Sequence, residues 1–149
     1  MKRKMVKYEA GQIKINRPEN PVTYYISRFV DYSFDQAIKR VTEELAKEGF
    51  GVLTEIDVAA TMKKKLDVDF RPYLILGACN PIFAHKALSL EDKIGVLLPC
   101  NVIVQQHEDG RVEVVAMDPK AVMQGSPMHD LAHVADEVQM KMRSVMAAL

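Results

Sequence analysis

The chain reads as an α+β protein: one two-layer domain in which a mixed or mainly antiparallel sheet packs against helices. Three observations predict this. Residues 34–45 repeat apolar side chains at helical spacing, from Phe34 through Ala37, Ile38 and Val41 to Leu45. Asn101 to His107 and Arg111 to Met117 alternate around the tight turn Glu108-Asp109-Gly110, the pattern of a β-hairpin. The last twenty or so residues carry one apolar stripe: Leu131, Val134, Ala135, Val138, Met142, Val145, Met146 and Leu149.

The remaining elements fill in between these. Residues 1–21 read as an N-terminal extension, with a basic tip at Lys2, Arg3, Lys4 and Lys7, a short edge strand around Ile13 and Ile15, and the turn-rich NRPENP. The domain proper spans 22–149. It opens with a strand running to about Asp31, rich in β-branched and aromatic residues. Ser33 and Gln36 then form a capping box that starts the first helix, whose Glu43, Glu44, Lys47 and Glu48 are expected to face solvent, and Gly49 ends it. Phe50 to Ile56 is the second strand. Asp57 caps a short helix from Val58 to about Leu66, and Lys63, Lys64 and Lys65 suit its negative C-terminal end. Tyr73 to Cys79 is apolar in both alternating sets, which predicts a strand central in the sheet. Asn80 and Pro81 start a helix to about Leu90, with proline preset at the first position and asparagine as its cap.

At 149 residues, 48% hydrophobic and 27% charged, the chain can bury a core without disulfide staples. Twenty basic and twenty acidic side chains cancel, so no global field draws it to nucleic acid or an anionic membrane, and neither is expected as a partner. No apolar run approaches the roughly 18 residues of a membrane span, and the N-terminus lacks a secretory pattern, so a cytoplasmic location is expected. In that compartment the two cysteines are expected as free thiols.

Chemistry concentrates between Phe70 and Gln106, where both cysteines lie, each followed by asparagine and each beside a proline-marked break in an apolar run. Cys79 ends a strand just ahead of a helix N-terminus, where unpaired amides favour a thiolate, although cysteine also commonly fills core space. Cys100 follows Pro99 at a kink and gains a role only if its strand neighbours that of Cys79. His85 lies one helical turn on and is the candidate base for Cys79. Gly77 leaves room beside the strand. Asn80, Pro81 and Asn101 complete a candidate ligand-binding set, the two amides able to donate to an anion. His129 and His133 stand four apart, a spacing that can clamp a metal, but both project opposite the apolar stripe and read as a solvated pair. Neither a metal nor a cofactor is expected.

The blocks SFDQAIKRVTEELAKEGFGVLTEIDV, KKKLDVDFRPYLILGACNP and LLPCNVIV, with the hairpin ending in MDP, resemble the domain-of-unknown-function 302 family (DUF 302) from about Tyr24 to Leu149. The resemblance implies a compact α+β domain with an antiparallel sheet, in a homodimer, and it implies no activity and no catalytic residue. Three functions are therefore weighed. The first is a small-molecule binding module, its ligand a metabolite that can be anionic, held between the Cys79–Ala84 turn and the Pro99–Val102 kink. The second is a thiol enzyme using Cys79, with Cys100 as resolving partner and His85 as base. The third is a structural domain that dimerises through a sheet edge or a Met-rich helix face.

Overall fold

A computed structural model describes residues 23–123 and 129–149. The N-terminal extension with its basic tip and edge strand, and the loop holding Gly125 and Pro127, lie outside the described residues. The chain runs β1 (Tyr25–Val30), α1 (Phe34–Lys47), β2 (Gly51–Asp57), α2 (Val58–Leu66), β3 (Tyr73–Cys79), α3 (Pro81–Leu90), a 3-10 turn (Ile94–Leu97), β4 (Cys100–Gln106), β5 (Val112–Met117), α4 (Pro119–Val122) and α5 (His129–Ala147). Among the described residues, five strands pair antiparallel in the order β1-β5-β4-β3-β2.

Local chemistry sets most boundaries. Ser33 accepts from the Gln36 amide at 3.2 Å while the Gln36 side chain accepts from the Ser33 amide at 3.4 Å, closing the expected capping box. Gly49 follows α1 with φ of 84°, a conformation open to glycine and costly to most other residues. Asp57 accepts from the Ala60 amide at 2.9 Å and starts α2. α4 was not expected from the sequence: Asp118 accepts from the Lys120 and Ala121 amides and so turns the chain after β5 into a short helix.

Alternation along the strands splits the sheet into two unlike faces. Leu76 and Ala78, Val102 and Val104, Val114 and Ala116 are fully buried, facing α1 and α5. Ala37, Val41 and Leu45 of α1 and Leu131, Ala135, Val138, Met142, Val145 and Met146 of α5 supply the other side of that core. Each large apolar side chain buried this way stabilises the fold by about 1.5–3 kcal/mol relative to exposure. The intervening residues Tyr73, Ile75, Ile103 and Val115 are only half-buried on the opposite face.

β3 lies inside the sheet between β4 and β2, as its apolar pattern predicts, although Tyr73 and Ile75 are only half-buried. One expectation needs correction. Glu44 is buried rather than solvated, because Lys47 at 2.7 Å and Arg40 at 3.2 Å reach its carboxylate. Those two cations also hold its pKa below the ordinary carboxylate value, the Lys47 hydrogen bond first.

Candidate functional site

The two cysteines converge on one cavity. Antiparallel pairing sets Ala78 opposite Cys100, which brings the end of β3 against the start of β4 and Cys79 beside that pair. α3 then leaves β3 through Asn80 and Pro81 and carries Phe83, Ala84 and Ala87 over the strand ends. Val134, Ala135 and Val138 of α5 close one side, and Leu97, Leu98 and Pro99 close another. The space it holds is about 40 Å³, and its described lining includes Phe50, Ala78, Cys79, Phe83 and Cys100. Apart from the two thiols, no lining side chain among the described residues can ionise.

That environment determines the state of the thiols. Cys100 is 8% exposed, and burial, with the nearby Cys79 thiol adding to it, pushes its pKa up to about 11. It is therefore a neutral thiol at physiological pH, packed as a small apolar group. Cys79 is more accessible, only partly covered at the cavity wall.

The other sequence-selected residues separate. Asn80 lines the cavity but makes no side-chain cap on α3; its Nδ2 donates instead to the Glu48 carbonyl at 3.2 Å. This corrects the capping expectation: the amide ties the start of α3 to the turn after α1. An Asn80→Ala variant, which removes that bond, is expected to lose about 1 kcal/mol in urea unfolding. His85 is exposed on α3 and absent from the cavity wall, so the structure does not bring it to either thiol. Pro81 is exposed and shapes the helix start only. Asn101 is exposed, its position alternating with Cys100 so that it lines the opposite face of the sheet.

Gly77 belongs to the scaffold of the site. A Cβ there would collide with Thr54 Oγ1 and come within 2.8 Å of Pro99 Cγ, so the absence of a side chain allows β2 and the Pro99 kink to meet across β3. His133 is exposed as expected, whereas the side chain of His129 lies outside the described residues.

On the opposite face, the structure assembles a polar row that the sequence does not announce. Arg71 Nε donates to Gln105 Oε1 at 3.0 Å, Gln105 Nε2 donates to Glu113 Oε2 at 3.0 Å, and His107 Nε2 meets the same Glu113 oxygen at 2.7 Å. These residues come from the loop before β3, from β4 and just after it, and from β5. Polar Gln105 and Glu113 beside buried Val104 and Val114 are the trace this row leaves in the sequence.

Comparisons with known proteins give a family and no chemistry. The family model described as Domain of unknown function DUF302 matches residues 26–149. A crystal structure of an uncharacterized conserved protein DUF302 from Bacillus stearothermophilus superposes with a TM-score of 0.78 at 26% identity, covering 84% of this chain and 97% of that one. No curated protein matches the chain. No helix among the described residues is long and apolar enough to cross a membrane.

Proposed function

The chain belongs to the DUF302 family, a name that carries no activity, and we propose from the site geometry that it is a binding module for a small molecule with an apolar end. The observation that carries this reading is the cavity walled by Cys79, Cys100, Phe50 and Phe83, whose described lining is apolar apart from the Asn80 amide and two thiols. A space of about 40 Å³ takes one short alkyl or thioether group and leaves the rest of the ligand at the mouth. An anionic portion of such a ligand sits outside, since no cation lines the described wall. The thiol-enzyme alternative has less support: His85 does not line the cavity, and Cys100 is held neutral.

Because Cys79 is partly accessible at the wall, an occupant should shield it. The alkylation rate of Cys79 with iodoacetamide is expected to fall several-fold in the presence of 1-butanol or butyrate, and less with ethanol. Rates that stay the same with all three probes would remove the binding reading. In an Ala84→Leu variant, which fills the mouth, the protection should disappear while folding is retained.

One observation favours dimerisation as a second reading. α2 has no buried residue and six of the seven residues of edge strand β2 are exposed, leaving Leu53, Ile56, Leu66 and Val68 in solvent. A second copy of the chain suits this edge, because β2 carries Glu55 and Asp57 and α2 carries Lys63, Lys64 and Lys65, opposite charges that a two-fold axis can bring together. Light scattering at micromolar concentration is expected to give a dimer that Leu53→Glu with Ile56→Glu converts to monomer. A monomeric wild-type protein would exclude it.

A further inference from the structure

We infer that the open face of the sheet carries a second ligand site, for an aromatic carboxylate with a hydrogen-bond donor on the far side of its ring. The inference stands apart from the cysteine cavity. A groove of about 620 Å³ runs over β3, β4 and β5 on the face away from α1 and α5, within the size range of ligand sites.

Its two polar ends are already oriented. The Arg71 guanidinium lies over the Phe70 ring at 4.6 Å and near the Tyr73 ring at 5.3 Å, which holds it beside the groove. Nε is spent on Gln105, and the terminal nitrogens have no partner among the described residues, a fork that suits a carboxylate. At the other end, Gln105 and His107 both bond Glu113 Oε2, so Oε1 is the oxygen left to accept a donor. Gln105 is 9% exposed and is held by a bond at each end of its amide, so the spacing between the two ends is set by a buried side chain. Two hydrogen bonds and one amide width place Arg71 Nε about 8 Å from Glu113 Oε2 at most, and the free guanidinium nitrogens and Oε1 extend that reach to about 12 Å, the length of a para-substituted benzene ring with its substituents and a hydrogen bond at each end.

The walls suit the ring. Tyr25 and Tyr73 flank the groove, with Ile103 and Val115 as its floor. Burial raises the pKa of the Tyr73 phenol, opposed by Arg71, so that phenol is a neutral donor at physiological pH.

The test is calorimetric titration of the full chain with 4-hydroxybenzoate. Wild-type protein is expected to bind it in the submillimolar range, benzoate several-fold more weakly, and Arg71→Gln to bind 4-hydroxybenzoate about tenfold more weakly than wild type. Arg71→Lys, which keeps the charge but not the fork, should fall between the two. Absence of binding to 10 mM, or equal affinity in wild type and Arg71→Gln, would overturn the inference. Cys79 alkylation is measured alongside: an unchanged rate is expected, and protection of Cys79 by 4-hydroxybenzoate would assign the ligand to the cavity and overturn the second site.

Discussion

Between pH 8 and pH 11 the wild-type domain is expected to lose about 2–3 kcal/mol more unfolding free energy than a Cys100→Ala variant. The Cys100 thiol is raised to about 11 in the folded chain, whereas unfolding returns it to its ordinary value. Below the ordinary value both states hold the proton, and the contribution is fully present. Above it the unfolded chain releases the proton first, so stability falls by about 1.4 kcal/mol per pH unit until the folded thiol ionises too. Groups that do not interact with Cys100 contribute equally to both proteins and cancel in the difference. Urea unfolding at half-unit steps reads the effect, and parallel curves for the two proteins would mean that Cys100 is not buried as described.

Gly77→Val is expected to destabilise the domain by about 2–3 kcal/mol. The added Cβ meets the Thr54 side chain on one side and the Pro99 ring on the other. The Thr54 hydroxyl can turn aside only by changing rotamer, and the Pro99 ring can retreat only by shifting the start of β4. Thr54→Ala relieves one collision, so the double variant should recover part of the loss, and a double-mutant cycle in urea measures that share. Additive effects would contradict the close approach.

Much of the fold was readable because its signals are local. The Ser33–Gln36 box, Gly49 and the Asp57 cap each fix an element boundary through residues no more than four apart. The α5 stripe was readable for the same reason, since helical periodicity alone predicts which side chains Met142 and Val145 join in the core. Glu44 was misplaced because a carboxylate at helical spacing reads as solvated until two cations are seen to cover it. The interior place of β3 in the sheet was readable from its apolar run, although Tyr73 and Ile75 on the open face are only half-buried.

The site was legible only in part. That Cys79 stands at a strand-to-helix turn follows from the chain order, but that Cys100 shares its cavity depends on a register pairing Ala78 with Cys100, which no local pattern encodes. The Arg71–Gln105–Glu113–His107 row is a stronger case. Its members span 71 to 113 in sequence and become neighbours only through the pairing of β3 with β4 and β4 with β5.

Methyl-detected NMR during a 1-butanol titration tests the cavity reading most directly. The account predicts saturable shifts in the methyl resonances of Val134, Val138 and Leu98, which line the cavity, with little change in Val104 and Val114, which are buried in the core away from it. Lining methyls that do not move, or core and lining methyls that move alike without saturation, would contradict it.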